Sequence, residues 1–394
     1  MDQERTTAIF AFSKRVVGVT VRNEQTLLGD IDRLAAQVTE EHYRIQPDLF
    51  ERYGKPGFEK SRRDTVYTLQ YLAESVQMDS PSLFVHYIGW LKQLLSGYGL
   101  TDADIRLKLE LVLRCVRAER RDEWTDRMVR ILEMGILRTS EPAETPSFIA
   151  REHRLGPDAR LYLDALLRSD RMEAYALIDG LIERGESIRD IYQYVFQASQ
   201  YEVGLLWQTQ RISVADEHYC TAITQSAMSR LYQHWIGDER PSRGGVLLSA
   251  CVGGELHEIG LRMLTDVFEM EGWDTHYLGA NTDEEQLLEE VLRRGADIVA
   301  LSATMTFHVH IMKKLISVLR TDERAAKAII LVGGLPFNVD PSLWRKIGAD
   351  GYAPDAAKAL QEADRLMAAR VQGAERKARE REEAAAEGGH ELGS

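Results

Sequence analysis

Five short apolar runs, at 246–250, 275–278, 298–302, 328–332 and 350–352, alternate with segments of helical period over the last third of the chain. A strand that is followed by a helix and then by a parallel strand returns through a right-handed crossover. Five such units therefore predict a parallel sheet of flavodoxin-like order, an α/β domain over 243–369. Ligands in these sheets sit beyond the carboxyl ends of the strands. The segments that fall there are the turn 251–254, Glu255-Leu256-His257-Glu258-Ile259-Gly260 leading into a helix expected over Ile259–Met270, Ser302-Ala303-Thr304, and Gly333-Gly334.

A dinucleotide would call for a glycine-rich turn at that helix start. The chain instead places an imidazole there, between Glu255 and Glu258. Imidazole is a good ligand for transition metals, and a carboxylate two residues away can fix its tautomer and raise its basicity, so the loop is read as a metal-binding one.

Glu255-x-His257-x-x-Gly260, then Ser302-x-Thr304, then Gly333-Gly334 resembles the signature of cobalamin-binding domains, usually written Asp-x-His-x-x-Gly, Ser-x-Leu or Ser-x-Thr, Gly-Gly. The resemblance implies that His257 is the lower ligand of cobalt, displacing the cofactor's own base, and that the small residues admit the detached nucleotide tail. Glu258 and Ile259 join the expected contacts. Glutamate in place of aspartate at 255 lengthens the supporting arm by one methylene.

Upstream, Trp207, Glu217 and His218 lie at Trp-x9-Glu-His spacing between two helices of a bundle expected over 155–237. This resembles the motif of light-sensing cobalamin photoreceptors, the repressors of carotenoid synthesis, and implies that Trp207, Gln208, Val214, Glu217 and His218 cover adenosylcobalamin. Where those repressors follow the tryptophan with a histidine, this chain has Gln208, a poor cobalt ligand.

Forty-nine basic residues against 62 acidic ones leave a net charge of -13, which disfavours nonspecific DNA binding, and no basic helix-turn-helix is evident. The chain has no run of 18 apolar residues, and residues 1–20 lack a secretory apolar core. Cys115, Cys220 and Cys251 show no paired spacing. These features lead us to expect a cytoplasmic protein without a membrane span.

Residues 1–137 read as an all-helical, globin-like domain, with helices over 27–38, 61–77, 82–96, 103–116 and 117–137, a turn at 53–57, and a linker over 138–154. That layout resembles the photocobilins, in which a helical biliverdin domain precedes the cobalamin module. It implies biliverdin held noncovalently, its propionates on Arg62 and Arg63 and its rings among Tyr67, His86, Tyr87 and Trp90. Cys115 is the one candidate for covalent attachment. The fold class is thus α plus α/β: a helical domain, a four-helix bundle and a five-stranded sheet.

The function implied is a photoreceptor, not an enzyme. Light would break the cobalt–carbon bond and rearrange a homo-oligomer, dimer or tetramer, that signals to a separate output protein. Two alternatives stand beside it. One is a corrinoid methyl carrier of a methyltransferase system, and the other a cobalamin sensor whose N-terminal helices bind a protein. A mutase is excluded for want of a substrate barrel. A charged helix over 370–387 and a flexible end over 388–394 complete the chain.

Overall fold

The structure, a computed structural model, describes residues 24–119, 122–142, 146–149, 152–235 and 242–388. They belong to two compact units, the chain dividing between positions 239 and 240.

The first unit is helical. Helices α1 (Glu24–Ile45), α2 (Asp48–Gln77), α3 (Pro81–Ser96), α4 (Asp102–Ala118) and α5 (Glu123–Arg138) enclose a core that includes Leu34, Val38, Leu72, Phe84, Tyr87 and Val112. The turn expected at 53–57 is a break inside α2, where Gly54 takes φ 58° two residues before Pro56. The helix expected over 117–137 is divided, with Arg117 in the last turn of α4. Glu119 is extended, and the Asp122 carboxylate caps α5 by accepting the Thr125 amide at 2.9 Å. An aspartate that satisfies an otherwise orphaned amide competes well with helix continuation.

The bundle follows, with α6 (Gly156–Leu167), α7 (Arg171–Glu183), a π-helical stretch Ile191–Gln197 running into α8 (Ala198–Gln208), and α9 (Val214–Leu231). Ser213 and Asp216 form a reciprocal capping box that starts α9.

The second unit carries β1 (Val246–Val252), α10 (Ile259–Met270), β2 (Asp274–Thr282), α11 (Glu284–Arg294), β3 (Ile298–Ser302), α12 (Val309–Thr321), β4 (Ile329–Gly333), the short helices α13 (Leu335–Val339) and α14 (Leu343–Lys346), β5 (Gly351–Tyr352), and α15 (Ala356–Gly388). Among the described residues the sheet has five strands in the order β2-β1-β3-β4-β5, and all its pairings are parallel. The expected order is therefore the observed one. The strands are apolar because both faces are covered; Leu247, Leu248, Val299 and Ile330 are fully buried. The charged helix expected over 370–387 is not separate: it is the distal part of α15, and Arg370 ion-pairs with Asp297 at the foot of β3.

Between β1 and β3 the strand order reverses direction. The chain therefore leaves these two strands toward opposite faces of the sheet, and this switch point is where such domains place their ligand crevice.

Candidate functional site

The crevice is built on one carboxylate. The chain leaves β1 at Val252, turns through Gly254 at φ +82°, and buries Glu255 completely. Its Oε1 accepts the amides of Leu256 and His257, both at 2.9 Å, and Nδ1 of His257 at 2.5 Å. Its Oε2 accepts the amides of Thr304 at 2.6 Å and Met305 at 3.1 Å, and Nδ1 of His308 at 3.1 Å. One side chain thus joins the loop after β1 to the loop after β3.

Burial by itself would raise the pKa of Glu255, but the hydrogen bonds from His257 and His308 and the adjoining backbone amide outweigh it and hold the group far below the carboxylate range. Glu255 is therefore ionised and only accepts. Each histidine must then carry its proton on Nδ1, and for a neutral imidazole that leaves the lone pair of His257 on Nε2, the atom that can bond a metal. The contrast in exposure fits this role, since the His257 side chain is 62% exposed and its carboxylate anchor 0%. The longer glutamate arm reaches its imidazole without difficulty.

The remaining crevice residues divide by task. Glu258 Oε2 accepts Tyr277 Oη at 3.0 Å and the Ala280 amide at 3.1 Å, which direct it to β2. Ile259 is half-buried at the start of α10, and a Cβ placed on Gly260 would meet no atom within 4 Å. Ser302 ends β3 in register with Cys251 and Gly333, and the Ala303 amide donates to the Gly333 carbonyl at 3.2 Å. Gly334 stands at φ +105°, and a Cβ there would lie 1.9 Å from the Ala303 carbonyl oxygen. Only glycine lets these two loops touch.

In the helical unit, Trp207 is half-buried in the last turn of α8, while Val214, Glu217 and His218 stand in the first turn of α9, so the structure brings them to one end of the bundle. Nδ1 of His218 pairs with Oε2 of Glu217 at 2.6 Å, and Thr221 Oγ1 donates to the other oxygen at 3.0 Å. Gln208 lies at this end too, but its side chain faces elsewhere. It is 7% exposed, and its Nε2 donates to the Trp90 carbonyl at 2.9 Å and to Gln93 Oε1 at 3.0 Å. Consecutive helical residues point about 100° apart, which turns Gln208 toward α3 and away from Trp207.

The residues expected to line an aromatic slot among the first helices differ in their surroundings. Tyr87 is 3% exposed, stacks on Tyr71 at 4.0 Å and bonds to Thr68 Oγ1 at 3.0 Å, so it is core. Trp90 packs beside that core, with its ring 6.2 Å from Tyr87. Tyr67 is half-buried on α2, and burial pushes its phenol up to about 12 against a smaller opposing effect of Arg63. Arg62 is half-buried, whereas Arg63 and His86 are exposed. Cys115 packs against the same core, and burial raises its thiol pKa.

Residues 245–361 match the B12 binding domain family, and residues 159–232 match a second family of the same description. Over 128 residues the chain is 30% identical to dimethylamine corrinoid protein 3 of Methanosarcina mazei, covering 32% of this chain and 75% of the relative. The chain belongs to the corrinoid-protein family. It is also 30% identical over 128 residues to the dimethylamine corrinoid protein of Methanosarcina barkeri, 32% of this chain and 59% of that protein's length. Among solved structures it is similar to a monomethylamine corrinoid protein of Methanosarcina barkeri, at 22% identity and a TM-score of 0.46, over 52% of this chain and 94% of that one.

These relatives overturn the photoreceptor resemblance. They are named as corrinoid proteins of methylamine chemistry, and the cobalamin signature is what the two kinds of protein have in common. The cofactor is a corrinoid, and the residues present fit one: an imidazole oriented by a buried anion, an open position at Gly260, and a crevice of small residues. Among the described residues no helix is long and apolar enough to cross a membrane.

Proposed function

We propose that this chain is a corrinoid carrier, which holds a cobalamin-type cofactor through His257 and presents it to separate partner proteins that load and remove a methyl group. The observation that carries the reading is the pairing of a fully buried Glu255 with an exposed His257. Bound cobalamin supplies a metal that accepts and gives up a methyl group. The chain's own residues orient and expose it: Glu255 fixes the tautomer, His257 offers Nε2, and Gly333-Gly334 keep the crevice clear. Catalysis then belongs to the partners. The names of the relatives point to small methylated amines as the class of methyl source.

Uptake of methylcobalamin and of adenosylcobalamin, followed by absorption spectroscopy on the full chain and on His257→Ala, tests the proposal. A carrier binds methylcobalamin at least as tightly as adenosylcobalamin and loses the histidine-ligated spectrum in the variant. Strong preference for the adenosyl form contradicts it.

A further inference from the structure

His308 stands six residues beyond the signature at Ser302, and no part of that signature assigns it a role. It ends the short 3-10 turn Thr306–His308 that leads into α12, and it is 7% exposed. Its Nδ1 lies 3.1 Å from Oε2 of Glu255, the oxygen that does not face His257. The ring has been given room: a Cβ on Gly254 would sit 3.2 Å from Nε2 of His308. A buried carboxylate thus bridges two imidazoles, one exposed and one enclosed.

We infer that His308 is a positioning residue, which acts through Glu255 to hold the Nδ1–H tautomer of His257 and so to set how well its Nε2 binds the corrinoid metal. The inference rests on the proposed role of His257. An ionised carboxylate in a closed site keeps its place only while its lone pairs are met by donors, and an imidazole N–H is a strong one. Thr304 and Met305 supply two fixed amides to Oε2; His308 supplies the third donor and closes the loop after β3 over the carboxylate. Take that donor away and Oε2 faces an apolar surface, so Glu255 settles less firmly against Nδ1 of His257. The imidazole then samples its other tautomer, in which Nε2 carries the proton and has no lone pair to give. Outer partners of this kind commonly change metal affinity 10–100-fold.

Two nearly isosteric variants separate position from packing. Asparagine places an amide N–H close to where Nδ1 of His308 stands, and leucine places a methyl group there. In the cofactor-free full chain with 15N-labelled histidine, His257→Gln identifies the His257 signals. The wild type and His308→Asn are expected to show the Nδ1–H form of His257, and His308→Leu a mixture with Nε2–H. With cob(II)alamin bound, the ratio of histidine-ligated to unligated cofactor, read from the nitrogen splitting of its paramagnetic spectrum, is expected to fall about tenfold in His308→Leu and to be restored in His308→Asn. If His308→Leu does not fold by circular dichroism, His308→Ala is measured in its place and must show the same losses.

The inference is overturned if the leucine or alanine variant keeps the wild-type tautomer and ratio, or if asparagine fails to restore them. A wild-type spectrum without coupling to His257 defeats the proposed function instead. The tautomer measurement, which needs no cofactor, is still decided on its own.

Discussion

Replacing Glu255 by glutamine changes almost no volume and removes the one thing the crevice requires, a group that accepts at both ends. In the native chain each carboxylate oxygen faces two backbone amides and one imidazole N–H. A carboxamide accepts only at its oxygen, so its NH2 must point at one pair of backbone amides whichever way it turns. The facing imidazole can change tautomer to accept from that NH2. The backbone amides cannot, and each buried donor without an acceptor costs about 1–3 kcal/mol. Two of them, with the loss of the charge that strengthened the remaining bonds, amount to about 4 kcal/mol of lost stability in the sheet unit. Urea unfolding measures the total, and amide hydrogen exchange at Leu256, His257, Thr304 and Met305 locates it. One of those two pairs should exchange several hundredfold faster, since every 1.4 kcal/mol is about a factor of ten. A Glu255→Gln chain that unfolds within about 0.5 kcal/mol of the wild type, with unchanged protection at all four amides, refutes the reasoning.

Other consequences are direct. His42 is 4% exposed, and burial, with the charge of Lys108 adding to it, lowers its pKa from 6.5 to about 4. The folded state thus favours the neutral ring, so its contribution is complete above pH 6.5 and is lost as the pH falls toward 4. About 3 kcal/mol should disappear from the helical unit over that range in acid unfolding, and His42→Phe should flatten the profile. Gln208→Ala removes two hydrogen bonds between α8 and α3 and should cost about 1–2 kcal/mol, seen as a lower thermal midpoint. Gly334→Ala forces a methyl group onto the Ala303 carbonyl at a positive φ; a loss above about 3 kcal/mol in denaturant unfolding of the sheet unit is expected.

The sheet was legible because parallel strands buried on both faces read as unbroken apolar runs, as at Ile298–Ser302. Strand ends were less so. β2 continues to Thr282 through polar Asn281, which stands at φ 57° at an irregularity of the ladder with β1 and whose Oδ1 accepts the Gly254 amide at 2.8 Å, a contact that an apolar pattern does not reveal. Glu255 and His257 could be found because their relation is local, two residues apart in one loop. His308 could not, because its contact joins loops 53 residues apart in sequence. The one available signal was a second histidine beyond the carboxyl end of β3, on the edge that already held His257. Gln208 was read with its neighbour Trp207, although helical geometry sends the two side chains in different directions. The pattern of Tyr87 and Trp90 at helical spacing fits a core stripe as well as a ligand slot, and tertiary packing chose the core.

The central claim is that Nε2 of His257 bonds the cobalt of a bound corrinoid. The most direct test is the paramagnetic resonance spectrum of cob(II)alamin bound to the full chain grown with 15N-histidine. Splitting of each cobalt line into two rather than three, lost in His257→Ala, is the result expected. Splitting that ignores the histidine label, or survives in His257→Ala, contradicts the account.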